Sequence, residues 1–584
     1  MGNSDHQGVV RGQLEEPEAM TCDLLVAGSG AGGMTAAIVA RKNGLDVIVA
    51  EKEPVMGGTT ALSGGYLWVP NNTINKAAGT KDSVDAARTY LQHEAGNQFD
   101  ADLVEAFLRE GPRMVDFMQE NTEVRFDPAI AFSDYHPDAP GGLPGGRSIL
   151  TRPVRGSMLA EDLGKVRRAR PELTLFGLTI GSGKELWHFY RATRKISSAA
   201  YVARRLFLHG LDLLTHGRGM LLSNGNALSA RLLRTARDLD IPIWLDSPVR
   251  SLTRNEEGAV TGALVRTPQG LRRIVARKGV VLACGGFSQD VERRKSLYSH
   301  AAAEGEHVSS ASPGNTGDGV RLGQSVGGNV VEGYPNHGAW APTSLVPRKD
   351  GTKGPFPHFI DRGKPGVIAV LRNGRRFVNE ANSYHDFVQA MVRATPRESV
   401  VEAFLIVDHR TIRRYGLGYV KPAPLPLGPA IRSGYLIRGE TLAELARNAG
   451  IDASQLDAVV AQWNADLKSG VDSAFGKGST AYNRFHGDPE VSPNPCMAPI
   501  ATAPFYAVRV IPGDIGTFTG LRADAKARVL DATMRPVPGL YAAGNDMASV
   551  AGGNYVGGGI TLGPAMTFGY IAARHAAGIE EKTS

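Results

Sequence analysis

Leu24-Leu25-Val26-Ala27-Gly28-Ser29-Gly30-Ala31-Gly32-Gly33-Met34 decides how the rest of the chain is read. The four leading apolar residues read as a buried parallel strand, and residues 34–43 as a helix with its apolar positions on one side. Between them Gly28 permits the tight turn, Gly30 lets backbone come close to a pyrophosphate, and Gly33 lets helix and strand pack. The helix start offers phosphate its free N–H groups and the positive end of its dipole. Val47-Ile48-Val49-Ala50 reads as the next strand, closed by Glu51, 23 residues past Gly28. A carboxylate there can bind both hydroxyls of an adenosine ribose. Gly-x-Gly-x-x-Gly alone is a weak sign; strand, turn, helix, strand and acid in this order predict a bound dinucleotide.

Lys52 and the run Gly57-Gly58-Thr59-Thr60-Ala61-Leu62-Ser63-Gly64-Gly65 follow. A second glycine- and hydroxyl-rich loop straight after the ribose acid resembles the flavoprotein superfamily that includes fumarate reductase flavoproteins. That resemblance implies FAD, with the loop lying along its ribityl chain and ring system. The loop holds no histidine before Ser63, so non-covalent FAD is expected. Further buried strands end at Ala283-Cys284-Gly285-Gly286 and at Ala543-Gly544-Asn545, and a last helix begins near Gly563-Pro564. The expected cofactor contacts are therefore Gly28, Gly30, Ala31, Gly32, Gly33, Glu51, Lys52, Gly58, Thr59, Thr60, Ser63, Gly64 and Gly65. Val249, Ala283, Gly285, Gly544, Asn545, Gly559 and Leu562 join them from later in the chain.

With 584 residues the chain exceeds one core, and 42% hydrophobic with 21% charged residues fits a globular protein. The net charge of +7 is modest, and no basic run interleaved with aromatics suggests nucleic acid. Cys22, Cys284 and Cys496 are far apart, without metal-ligand spacing, and suggest a reducing cytoplasm. The first 20 residues are polar and acidic, unlike a signal peptide, and no apolar run reaches the roughly 18 residues of a spanning helix.

The expected fold class is α/β: a Rossmann-like FAD-binding domain interrupted by an α+β substrate domain. Residues 1–20 read as a disordered arm, 21–290 and 511–578 as the FAD-binding domain, and 291–510 as the substrate domain. Residues 258–266 and 270–275 read as a hairpin, and residues 82–118 as two helices. An unusual insertion spans about 150–218. Within it residues 184–218 carry seven Lys/Arg against Glu185 and Asp212, with Trp187, Phe189, Tyr190, Leu206, Phe207 and Leu214 among many apolar side chains. Two readings stand open: a helix lying in a membrane interface, or a surface helix whose apolar stripe is core and whose basic face is solvated.

Ser133-Asp134-Tyr135-His136-Pro137, Gly374-Arg375-Arg376-Phe377-Val378-Asn379-Glu380 with Tyr384 after it, and Asn554-Tyr555-Val556-Gly557-Gly558-Gly559 leading into Gly563-Pro564-Ala565-Met566-Thr567-Phe568-Gly569-Tyr570 complete the picture. Across residues 23–578 the chain resembles the flavin-dependent 3-ketosteroid Δ1-dehydrogenases. The resemblance implies removal of hydrogen from C1 and C2 of a 3-ketosteroid, with an external acceptor such as a quinone. It implies Tyr384 as the base for the C2 proton, Tyr135 hydrogen-bonded beside it, Tyr555 and the Gly559 N–H as donors to the ketone oxygen, and Phe132 in the substrate site. A phenol base has an ordinary pKa of about 10 and needs a cation, another phenol or a helix start to favour its phenolate. In that family a proline commonly follows the tyrosine of the ketone-binding turn; here it is Val556, and Δ4-(5α) dehydrogenation stays open beside Δ1. Fumarate-reductase-like reduction of an unsaturated acid is a weaker alternative, because Gly516-Thr517-Phe518-Thr519-Gly520 has no histidine and residues 551–563 no arginine. A non-catalytic flavoprotein docking through residues 184–218 is the alternative from another class. Ser–His–Asp and metal readings have no supporting spacing.

Overall fold

The computed structural model describes residues 19–301, 305–397 and 399–579. The expected arm lies outside them up to residue 18. Ala19 and Met20 are not part of an arm, because they open the strand Ala19–Ala27 and pair with Arg273 and Ile274.

That strand sits inside an eight-stranded sheet. Leu24 stands opposite Gly279 of Gly270–Leu282 on one side and Val47 of Val47–Ala50 on the other, both in parallel register. Ile243–Trp244 continues the parallel run beyond Val47–Ala50, and Pro536–Ala542 continues it beyond Gly270–Leu282. Helices cover the centre, so Leu24, Leu25 and Val26 are fully buried and the strand reads as an unbroken apolar run. The expected hairpin is Val260–Thr267 with the first half of Gly270–Leu282. The second half of the same strand, from Gly279, is the buried strand expected before Gly285.

Helix Ala31–Lys42 forms the crossover to Val47–Ala50, and the last helix, Leu562–Ala576, lies against it. Their approach is so close that a Cβ at Gly569 would stand 2.3 Å from the Gly32 carbonyl oxygen. Two further helices, Val84–Ala95 and Ala101–Asn121, occupy the stretch expected to hold two.

A second, antiparallel sheet runs in the order Ile368–Val370, Ala403–Asp408, Phe505–Val510, Ile437–Gly439. Alternation along Ala403–Asp408 splits its side chains between two cores. Ala403, Leu405 and Val407 pack with Phe387, Val388 and Met391 of helix Tyr384–Ala394. Phe404 and Ile406 pack with Leu445, Leu456 and Trp463 on the other face. This double burial fixes helix Tyr384–Ala394, whose first residue is the expected base. A three-stranded sheet of Val308–Ser309, Gly513–Thr517 and Gly338–Trp340 crosses the expected boundary at 511.

The basic segment forms helices Lys184–Arg191 and Ile196–His216. The second is turned inside out. Its buried residues are Ser198, Arg205, His209 and Asp212, while Ile196 is 91%, Phe207 66% and Leu214 85% exposed. The inward polar groups have partners: Arg205 on Glu185 at 2.7 Å, Asp212 on Arg155 at 2.7 Å, and His209 on the Phe176 carbonyl at 3.0 Å. The reading with an apolar core stripe and a solvated basic face therefore fails. Among the described residues no helix is long and apolar enough to cross a membrane.

Candidate active site

A large cavity opens where strands Ala19–Ala27, Val47–Ala50 and Gly270–Leu282 end. Gly28, Gly30, Ala31, Gly32, Glu51, Lys52, Gly58, Thr59, Thr60, Ser63, Gly64 and Gly65 line it, and so do Val249, Ala283, Gly285, Gly544, Asn545, Gly559 and Leu562. Of the expected cofactor residues Gly33 alone stands outside that wall. A Cβ there would lie 2.1 Å from the Gly28 carbonyl oxygen, so its glycine serves the turn. Gly28 adopts φ +106, and a Cβ on it would meet the Ala283 carbonyl at 2.2 Å. The nearest atom to a Cβ at Gly30 is Thr60 Oγ1 at 3.6 Å, so backbone is open to a ligand there.

These residues fit a flavin dinucleotide. Helix Ala31–Lys42 has no acidic residue in its first turn and a glycine, Gly30, at its N-cap, which suits a diphosphate site, while its Ala31 N–H donates to Thr60 Oγ1 at 2.9 Å. The Glu51 carboxylate accepts from the Ser29 N–H at 2.9 Å, the Ser29 hydroxyl at 2.6 Å and the Glu53 N–H at 2.9 Å, which fixes it at the strand end. Lys52 reaches Asp318 at 2.5 Å and the Thr316 hydroxyl at 2.6 Å. Thr59 Oγ1 accepts from the Ser312 N–H and the Asn315 amide, both at 2.9 Å.

At the other end of the cavity the expected tyrosines meet. The Tyr135 hydroxyl donates to the Tyr384 hydroxyl at 2.7 Å. The Tyr135 ring stacks on that of Tyr555 at 5.3 Å, and Tyr384 meets Tyr555 edge-on at 5.1 Å. Phe132 lines the same wall and packs on Tyr66 at 4.5 Å. Burial pushes Tyr384 well above the ordinary phenol range, and neighbouring Tyr555 pushes it further, while the hydrogen bond from Tyr135 acts the other way. Burial raises Tyr135 and Tyr555 too. Of the devices expected to favour a phenolate at Tyr384, a partner phenol and a helix start are present. Among the described residues no cation hydrogen-bonds to the hydroxyl.

The turn after Tyr555 is set by backbone. Gly559 has φ +102, and a Cβ on it would stand 2.4 Å from the Tyr66 carbonyl oxygen. Among the described residues no protein acceptor takes its N–H. Val556, where the family commonly has proline, holds the turn by its carbonyl: it accepts the Tyr135 N–H at 3.0 Å and the Tyr90 hydroxyl at 2.7 Å.

Buried ion pairs hold the segments around two of these tyrosines. Asp134 accepts from the Trp68 indole at 2.8 Å and from Arg147 at 2.8 Å, and burial lifts its pKa to about 6 against the pull of Arg147. Arg376 is clamped between Glu380 and Asp472, both at 2.7 Å and all buried. Removing one partner from such a buried pair costs about 3–5 kcal/mol. Sequence reasoning missed Tyr482, whose ring lies 4.7 Å from that of Tyr135, and also Trp187, Tyr190, Phe359, Lys364, Phe485 and His486 of the cavity wall. Ser344, His358 and Asp361 do form a hydrogen-bonded line, at 2.8 and 2.6 Å. None of the three lines the cavity, and Ser344 also shares its hydroxyl with Tyr435 at 2.8 Å, so the line reads as a brace.

A dinucleotide cradle sharing its cavity with hydrogen-bonded tyrosines defines an FAD-dependent oxidoreductase. The chain belongs to the FAD-binding flavoprotein family described as "FAD binding domain", matched over residues 23–562. It is 40% identical over 564 residues to the 4-oxocyclohex-2-ene-1-carboxylate 5-dehydrogenase of Sinomonas cyclohexanicum, covering 97% of this chain and 95% of that one. It is 35% identical over 570 residues to the 3-oxosteroid 1-dehydrogenase of Mycobacterium tuberculosis, covering 95% and 98%. It also resembles the crystal structure of the 3-ketosteroid Δ1-dehydrogenase from Sterolibacterium denitrificans in complex with 1,4-androstadiene-3,17-dione, with TM-score 0.88, 36% identity and coverage of 96% and 100%.

Proposed function

We propose that the chain desaturates a six-membered ring ketone next to its carbonyl, with the 3-ketosteroid Δ1 reaction as the first candidate. The observation that carries this is the meeting of Tyr135, Tyr384, Tyr555 and Gly559 at the end of the cavity that holds the dinucleotide cradle. Tyr384 takes the proton from the carbon beside the ketone. The Tyr555 hydroxyl and the Gly559 N–H hold the ketone oxygen as it gains negative charge, an oxyanion-hole task. Bound FAD supplies the acceptor for the hydride that leaves the neighbouring carbon. The substrate thus loses one proton and one hydride, and the two electrons must pass to an external acceptor, a quinone or similar, before a second turnover. Anaerobic bleaching of the flavin by a panel of ring ketones tests the reading, with NMR of the product placing the double bond at Δ1 or Δ4. A flavin that stays oxidised with every ketone overturns it.

A second reading is a single-ring oxo acid, the kind of compound in the name of the Sinomonas relative. The observation favouring it is a buried lysine, Lys364, in the cavity wall.

The outward apolar face of Ile196–His216 supports peripheral contact with a lipid surface, flanked by Lys195 and Arg204. The preceding helix, Lys184–Arg191, contributes Leu186, Trp187 and Tyr190 to the cavity wall, so one helical pair faces both lipid and substrate.

A further inference from the structure

Lys364 and His486 stand in the wall of the substrate end of the cavity, 2% and 5% exposed. Ring contacts join them to the tyrosine cluster: the His486 ring is 4.7 Å from that of Tyr482, which is 4.7 Å from that of Tyr135. Two other buried cations of this part of the chain have acceptor sets. Arg362 donates to the carbonyls of His358 and Glu380, and Arg376 to two carboxylates. Lys364 is different. Among the described residues its ammonium has one acceptor, the Gly487 carbonyl at 3.0 Å, and otherwise rests on the faces of Trp187 and Tyr190 at 4.5 and 5.1 Å.

The two carboxylates nearest in field are spent elsewhere. Asp488 binds Arg414 and the Tyr415 hydroxyl, both at 2.6 Å, and Asp361 binds His358 at 2.6 Å and the Gly418 N–H at 2.9 Å. His486 has no hydrogen-bond partner at either ring nitrogen among the described residues. Burial, then Lys364 and Arg362, press its pKa to about 3, so it is neutral and keeps one N–H to donate. Burial lowers Lys364 to about 8, which leaves it protonated at neutral pH.

A buried ammonium short of acceptors beside an unsatisfied imidazole is costly unless something completes it. We propose that Lys364 and His486 form an anion subsite that takes a substrate carboxylate on the side of the ring remote from the ketone, so that the substrate class is a cyclic oxo acid. This rests on the ring-ketone reading above. Two anchors would then fix the ring: the ketone in the Tyr555–Gly559 site, and the carboxylate on Lys364.

The test compares a ring ketone bearing a carboxylate, 4-oxocyclohexane-1-carboxylate, with its neutral amide, by calorimetry on the FAD-loaded protein and by anaerobic flavin bleaching. Charge-assisted bonding predicts that the acid binds about 10-fold or more tighter than the amide. In Lys364→Met that ratio falls close to one, through KM more than kcat. An equal affinity of the unaltered protein for acid and amide overturns the subsite without recourse to any variant. So does a Lys364→Met variant that keeps the ratio. Tight acid binding that depends on Lys364 but never bleaches the flavin upholds the subsite and sinks the dehydrogenase reading. Bleaching by a neutral 3-ketosteroid with no preference for the acid does the reverse.

Discussion

His136 Nε2 lies 2.9 Å from the Asp386 carboxylate, which ties the residue after Tyr135 to the residue two places after Tyr384. The other ring nitrogen lies 2.9 Å from Glu94. One imidazole therefore bridges the loop that carries Tyr135 and the helix that opens with Tyr384.

Burial alone would depress this imidazole, but the two carboxylates outweigh it and hold the pKa at about 11 against an ordinary 6.5. Between those values the folded chain binds a proton that the unfolded chain lacks. The stabilisation is complete below pH 6.5 and is lost as pH rises through about 11. Thermal melts of His136→Ala should lack that loss, and its turnover should fall roughly 10- to 100-fold with flavin retained, as for a base moved off its target. Melts that keep the same pH slope would remove His136 from this role.

Tyr384→Phe should keep flavin and fold and lose roughly 100-fold or more in turnover, the scale of a lost general base. Because burial raises the phenol, the phenolate is scarce at neutral pH and the rate should climb with pH. A rate that is flat or falling from pH 7 to 10 would assign the proton to another group.

Tyr555→Phe removes one of the two donors proposed for the ketone oxygen. Turnover should drop roughly 100- to 1,000-fold, while binding, carried mostly by buried apolar surface, weakens far less. A flavin-difference titration beside the rate separates these. Collapse of affinity with normal turnover at saturation would make Tyr555 a binding contact.

Acid precipitation should release the flavin, since His486 is the one histidine among the described residues of the cavity wall and it stands at the substrate end. Yellow colour kept in the pellet would show a covalent bond. Gly28→Ala should lose flavin outright, because its Cβ would strike the Ala283 carbonyl at 2.2 Å.

Phe207→Ser with Leu214→Ser should abolish co-sedimentation with anionic vesicles and leave anaerobic bleaching by a water-soluble ketone intact. Equal sedimentation of the double variant would show that lipid is not what meets this face.

The dinucleotide cradle was legible because its parts sit at fixed spacings along one stretch: Gly28, Gly30 and Glu51 each answer a local geometric need. Tyr135, Tyr384 and Tyr555 were legible only through resemblance, since each alone reads as a core aromatic. Tyr482, Lys364 and His486 left no mark. They come from the short helix Ala481–His486 and a loop, and nothing in such segments has a period that says which way a side chain points. The helix Ile196–His216 misled for a related reason. Apolar spacing shows that a helix has two faces, and here Arg205 and Asp212 find ion partners inward, so the greasy face is left outside.

The carbonyl of Val556 reaches both Tyr135 and Tyr90. Every amino acid brings that same oxygen, so no exchange of side chain at this position can delete it. Alanine at this fully buried position would report lost packing and leave the oxygen itself unprobed. The joint between the two halves of the site is thus carried by the polypeptide itself. A change in chain length or in local dihedral angles would break it, as a one-residue insertion after Tyr555 would.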